Sequence, residues 1–207
     1  MRPDRIPLFP LNVVLFPDAD LPLHIFEPRY RKMVRDCLDT KTEFGILLAL
    51  ENGIAGTGCT AEILEVARKY PDGRMDILTV GREPFRVVEL FTDNPLLEGA
   101  VDYLDDRQSI SSPQTRKSLV DLYEVCHTLL FGDYPRDANS AEPAEQLSYR
   151  IASKLPMDLL WKQRVLELRT EAERQERLLA YLRDWAPHLQ KEESAQRRTA
   201  GNGSGLN

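Results

Sequence analysis

His24, Phe26, Arg29 and Tyr30 place an imidazole, two aromatic rings and a guanidinium in one short stretch of chain. The stretch reads Pro22-Leu23-His24-Ile25-Phe26-Glu27-Pro28-Arg29-Tyr30. In an extended strand, successive side chains alternate, so Leu23 and Ile25 face one side and His24 and Phe26 the other. Two readings follow. In the first, the segment nucleates a core and Tyr30 packs beneath it. In the second, these side chains line an apolar groove for extended polypeptide, where apolar contact gives affinity and the cation orients polar backbone. The edge of a sheet at this place could also accept a peptide as an added strand. A second constellation overlaps the first: Arg29, Arg31, Lys32 and Arg35. On a helix they form a solvated basic face, or a phosphate contact that would hold RNA with strong salt dependence. The formal net charge of −6 and the want of an evident aromatic row argue against the RNA reading, which stays as the alternative.

Motifs for catalysis are missing. No G-x-x-x-x-G-K-[ST] run exists to cradle phosphates. Gly56-Thr57-Gly58 precedes a strand pattern instead of a helix, so it reads as a turn and not a dinucleotide loop. His24, His127 and His188 are far apart and no Cys-x-x-Cys pair occurs, which leaves no zinc-ligand spacing. Without a nucleophile elbow, scattered Ser, His and Asp residues do not indicate hydrolysis. Asp105-Asp106 and Glu192-Glu193 read as solvated carboxylates. No catalytic residue, metal ligand or cofactor is assigned.

Composition agrees with a soluble globular protein: 207 residues, 42% hydrophobic and 29% charged. The three cysteines cannot all pair within the chain, and they read as buried free thiols in a reducing cytoplasm. No apolar run reaches the length of a membrane span, and the proline-interrupted N-terminus lacks a signal-peptide core.

The elements that must position these residues follow from local pattern. Prolines 7, 10, 17, 22 and 28 forbid a helix through the opening, so short strands are expected at Leu11–Phe16 and Leu23–Phe26. Pro28 suits the first turn of a helix along which Tyr30, Met33, Val34, Cys37 and Leu38 recur at helical spacing. Phe44–Leu50 is a continuous apolar run of strand length. Residues 59–69 and 74–80 read as strands around the turn Tyr70-Pro71-Asp72-Gly73, followed by Phe85–Leu90 and Ala100–Leu104. Many short strands, one inserted helix and no βαβ repeat favour an antiparallel, barrel-like sheet. After a polar break near residue 105, Leu119, Leu122, Tyr123, Cys126, Leu129 and Leu130 trace a helical stripe that stops at Gly132. Residues 133–143 read as a loop. Leu147, Ile151 and Leu155 start another helix, and Asp158 could cap a third. Thr170 and Glu173 have capping-box spacing, so residues 158–189 form either two helices or one rod. The face Leu178, Leu179, Leu182 and Trp185 ends near Pro187. The expected organisation is a β-rich part over 1–105, a helical part over 106–190, and a polar, disordered tail over 191–207.

The proline-rich opening, Ile6-Pro7-Leu8-Phe9-Pro10-Leu11 with Phe16-Pro17 and then Pro22 to Tyr30, resembles the signature of the Lon protease N-terminal, substrate-binding domain family. Phe44–Leu48, Gly56-Thr57-Gly58, Pro71–Met75, Gly81-Arg82 and Phe85-Arg86-Val87 resemble later landmarks, as do Leu147-Ser148, Lys162-Gln163, Leu166-Glu167 and Glu176-Arg177-Leu178. Coverage runs over residues 6–189, with Glu83-Pro84 as a departure. The resemblance implies an α+β fold: a PUA-like β pseudobarrel with an inserted helix, followed by an α-helical C-terminal subdomain. It also implies a stand-alone, non-catalytic binder of polypeptide whose partners are client proteins or protease machinery, with no ATPase or peptidase region.

Overall fold

Two prolines lie inside the first strand, and the way the sheet closes explains why it tolerates them. The computed structural model describes residues 2–135 and 146–202. Strand β1 (Arg5–Leu11) pairs antiparallel with β6 (Glu98–Tyr103) through Arg5, Ile6 and Pro7, then parallel with β3 (Phe44–Leu50) from Leu8 to Leu11. The Leu8 amide donates to the Leu97 carbonyl at 2.8 Å, towards the β6 flank. Backbone amides alternate along a strand, so Pro10 faces that same flank beyond the last β6 pair. Pro7 faces the other flank just before the β3 pairs begin. Neither missing N–H removes a ladder bond. The expected strand at Leu11–Phe16 is therefore displaced: the strand is Arg5–Leu11. Val14, Leu15 and Phe16 are buried in the connection that follows it. Their apolar character served the core, and the ladder took the proline-bearing residues instead.

The remaining strands are β2 (Asp20–Ile25), β4 (Gly53–Lys69) and β5 (Met75–Phe91), in the order β2-β5-β4-β3-β1-β6. An additional β5–β6 pairing closes β5, β4, β3, β1 and β6 into a ring, with β2 attached outside it on β5. All pairs are antiparallel except β1–β3, which corrects the wholly antiparallel expectation. The run Phe44–Leu50 is β3 to the residue. Residues expected as separate strands belong to β5, which also passes through Glu83-Pro84; the Pro84 carbonyl accepts from Leu104 at 2.8 Å. Gly56-Thr57-Gly58 is no turn but part of β4. A Cβ on Gly58 would collide with the Ile46 carbonyl oxygen and stand 2.8 Å from the Phe85 ring, so glycine there permits the wall to close. The Tyr70–Gly73 turn is as expected, with the Gly73 amide donating to Tyr70 at 3.0 Å.

Helix α1 (Pro28–Thr40) begins with its proline in the first turn and ends on left-handed Lys41. Met33, Val34 and Cys37 pack with Phe9, Ile25, Phe44, Ile46 and Ile77 in one core; Ile6, Leu8, Leu47, Phe85 and Val101 form another. Helix α4 (Leu159–Glu167) is capped by Asp158, which accepts from the Trp161 amide at 2.9 Å. It joins the barrel where Gln163 donates to the Thr57 carbonyl at 2.9 Å.

Two compact units divide the chain: residues 1–107 with 152–169, and residues 108–151 with 170–207. In the second, α2 (Pro113–Phe131) stops at Gly132 and packs with α5 (Glu171–Asn202); of α3 (Leu147–Lys154), residues 147–151 belong to this unit. The Thr170–Glu173 box forms, the Glu173 amide donating to Thr170 Oγ1 at 3.3 Å, and it separates α4 from α5. Helix α5 runs through Pro187 and over residues 191–202, where polar composition suggested a disordered tail. Residues 136–143 of the expected loop and 203–207 of the tail lie outside the described residues.

Candidate functional site

Strand β2 ends the sheet, and among the described residues it has a single hydrogen-bonded strand neighbour, β5. Its register sets His24 opposite Asp76. His24 Nδ1 lies 2.6 Å from Asp76 Oδ1, and the Tyr70 hydroxyl donates to Asp76 Oδ2 at 2.8 Å. The His24 hydrogen bond, then that from Tyr70, holds the Asp76 carboxyl below its ordinary range; the same bond raises the Tyr70 phenol. Replacing His24 with alanine is therefore expected to move the Asp76 titration upwards, readable by following its carboxyl carbon in an NMR pH series. An unchanged midpoint would contradict this assignment.

The expected alternation holds. Ile25 is buried, while His24 and Phe26 face outwards, their rings 6.2 Å apart and nearly parallel. Phe26 is 59% exposed. It borders a groove of about 400 Å³ between the end of β1 and β2, lined by Phe9 to Leu11, Pro22 to Glu27, Arg29 and Tyr30. Tyr30 lies at the floor: it is buried, its ring stacks on Phe9 at 3.9 Å, and desolvation raises its phenol. The structure separates these residues by burial. Tyr30 and Ile25 serve the core, whereas His24, Phe26 and Arg29 remain at the rim. Arg29 lies over the Tyr30 ring at 4.6 Å, pairs with Glu27 at 2.9 Å and donates to the Pro95 carbonyl at 3.3 Å. Those bonds fix one cation beside the exposed aromatic.

The basic set does not stay together. Arg29 belongs to this groove, and Lys32 pairs with Asp36 at 2.6 Å one helical turn away. Arg31 and Arg35 instead face a second cleft that also receives Lys69 and Arg74 from the β4–β5 hairpin. Nothing local in the sequence joins residues 31 and 35 to 69 and 74; the pairing of the long hairpin does. Cys37, Cys59 and Cys126 are free and buried, and desolvation pushes their thiols up, that of Cys126 to about 11. Among the described residues no group of His, Cys, Asp or Glu gathers to hold a metal, and no helix is long and apolar enough to cross a membrane.

The site is thus a closed small barrel carrying a rim groove with an exposed aromatic. The family pattern of the ATP-dependent protease La (LON) substrate-binding domain matches residues 5–184, and the chain belongs to that family. It is 27% identical to the Lon protease of Parabacteroides distasonis over 86% of this chain and 24% of that protein. It is 25% identical to the Lon protease of Escherichia coli K12 over 96% of this chain and 28% of that protein. The chain therefore spans about a quarter of the length of these curated relatives. Among solved structures, the Lon N-terminal domain protein from Xanthomonas campestris is 30% identical with a TM-score of 0.68, covering 86% of this chain and 98% of that one. The N-terminal domain of Mycobacterium avium complex Lon protease shares the fold at 15% identity and a TM-score of 0.63, covering 88% and 98%.

Proposed function

We propose that this chain is a non-catalytic polypeptide-binding module that engages apolar segments of client proteins in the groove bordered by His24, Phe26 and Arg29. The observation that carries the reading is the exposure of Phe26 beside the outer edge of β2. An aromatic ring left in water over an apolar floor gains affinity when a partner covers it. The β2 edge offers backbone donors and acceptors to an extended chain, and Arg29 is already fixed where it can meet a carbonyl. This combination is tolerant of sequence, as recognition of many clients requires: backbone bonds are the same for every client, and apolar contact asks only for bulk. Three buried free thiols suit work in a reducing cytoplasm.

Fluorescence anisotropy with a labelled, unstructured peptide rich in Phe and Leu tests the proposal. Micromolar binding is expected, weakened at least about tenfold by Phe26→Asp because central aromatic anchors carry a large share of binding energy. Binding should change little when salt rises several-fold. Unaltered binding by Phe26→Asp would sink the groove assignment. Tight binding of an unstructured RNA with steep salt dependence, and none of the peptide, would replace the whole reading.

A further inference from the structure

The cleft between α1 and the β4–β5 turn gathers positive charge on a chain whose formal net charge is −6. Its volume is about 390 Å³. Residues 28, 31, 35 and 38 recur at spacings of three and four, so one face of α1 presents Pro28, Arg31, Arg35 and Leu38 together. Lys69 and Arg74 flank the turn opposite. Arg31 Nη1 donates to the Asp72 carbonyl at 2.6 Å, which ties the helix to the turn and fixes the spacing of the cations. Gly73 leaves room for that guanidinium, since a Cβ there would stand 2.8 Å from Arg31 Nη1.

The nearby carboxylates are committed. Asp72 pairs with Arg74 at 2.7 Å, Asp36 with Lys32, and Asp76 with His24 and Tyr70. Among the described residues no carboxylate comes within ion-pair distance of Arg31, Arg35 or Lys69, and the Asp72 carboxylate acts on Arg31 only through space. The cleft is thus a pre-spaced set of cations with an apolar component, Pro28, Leu38 and Met75.

We infer that this cleft binds the side-chain carboxylates of an acidic stretch in the polypeptide whose apolar part occupies the Phe26 groove. The inference rests on the polypeptide-binding reading and adds a specificity to it. Carboxylates match forked guanidinium donors, and aliphatic carbons of Asp and Glu suit the apolar component. Nucleic acid fits less well, because Tyr70, the one aromatic lining the cleft, already has cation and hydrogen-bond partners. Arg68 and Arg74 lie 4.7 and 5.1 Å from the Tyr70 ring, and its hydroxyl is bonded to Asp76, so a base would have to compete with two guanidinium groups for it. The two sites adjoin: the His24 ring contacts Tyr70 edge-on at 5.8 Å and lies beside Phe26, while Pro28 follows Phe26 by two residues. An acidic stretch flanking an apolar segment could span both.

Three labelled peptides with one shared Phe/Leu core, flanked by Asp/Glu, by Ser/Gly or by Lys, test this against the intact chain. At low salt the acidic-flanked peptide is expected to bind about fivefold more tightly than the neutral one, from two or three solvent-exposed ion pairs. Arg35→Glu with Lys69→Glu should abolish that preference, and Arg35→Gln with Lys69→Gln should remove most of it. Both residues are exposed, so circular dichroism and a melting curve verify that the variants fold. Equal binding of the acidic and neutral peptides, or a preference surviving both double variants, overturns the inference while leaving the groove intact. An RNA oligonucleotide held more tightly than the acidic peptide through Arg35 and Lys69 also overturns it. Acidic and neutral peptides whose affinities are both unaltered by Phe26→Asp, with the acidic preference intact, would support the cleft and remove the groove.

Discussion

Replacing Arg174 with alanine is expected to destabilise the helical unit by about 3–5 kcal/mol, the range for removing one partner of a buried ion pair. Arg174 is wholly buried. Its Nη2 pairs with Glu171 Oε2 at 3.0 Å, Nε donates to Ser148 Oγ at 3.0 Å, and Nη1 donates to the Tyr149 hydroxyl at 3.1 Å. The guanidinium also lies 4.0 Å from the centre of the Tyr149 ring. Glu171, at the start of α5, accepts the Ser148 amide at 3.0 Å and Gln175 Nε2 at 2.7 Å, so one carboxylate joins α3 to α5. Alanine leaves that carboxylate without its cation and opens a cavity where the guanidinium lay. The combination Arg174→Met and Glu171→Gln should recover part of the loss, because it removes both charges and keeps volume. Urea unfolding followed by circular dichroism reads the effect. A loss under about 1 kcal/mol for Arg174→Ala would show that the network holds nothing that water could not replace.

Gly81→Ala is expected to cost the barrel unit about 3 kcal/mol or more, at the upper end of overpacking effects. Gly81 lies in β5 where the connection after β1 crosses the sheet. Its amide donates to the Ala19 carbonyl at 3.0 Å and its carbonyl accepts from Asp18 at 2.9 Å. An added Cβ would collide with the Phe16 carbonyl oxygen and stand 2.9 Å from the Phe16 carbonyl carbon. Backbone cannot swing aside as a flexible side chain can, so the connection or the strand must shift. The same substitution at Gly56, whose Cβ would meet nothing within 4 Å, is the control and should cost far less. Equal melting temperatures for the two variants would contradict the close-approach argument.

Legibility in the sequence followed the range of the interactions. Local signals carried through: the apolar run at 44–50, the Gly132 stop, the Asp158 cap, and the Thr170–Glu173 box that separates α4 from α5. Signals that depend on distant partners did not. Pro7 and Pro10 argue against a strand until it is known that β1 changes partner between them. The glycines at 56 and 58 imitate a turn because the contact that requires Gly58, from Ile46 and Phe85, is remote in sequence. Bulges in β4 and β5 break the two-residue period, so a 17-residue strand reads as shorter pieces. Arg174 gives no sign of burial, since its partners Ser148 and Tyr149 lie on another helix. At the candidate site, the alternation of Ile25, His24 and Phe26 was readable, and so was the face shared by Arg31 and Arg35. Lys69 and Arg74 were not, because only the hairpin brings them opposite α1.

The most direct test of polypeptide recognition is to titrate the Phe/Leu-rich peptide into the chain and follow its backbone-amide NMR spectrum. The account predicts shifts concentrated in residues 9–11 and 22–30, with the β2 amides moving most and α5 silent, and loss of these shifts in Phe26→Asp. Shifts confined to α2 and α5, or none in β2 at saturating peptide, would contradict it.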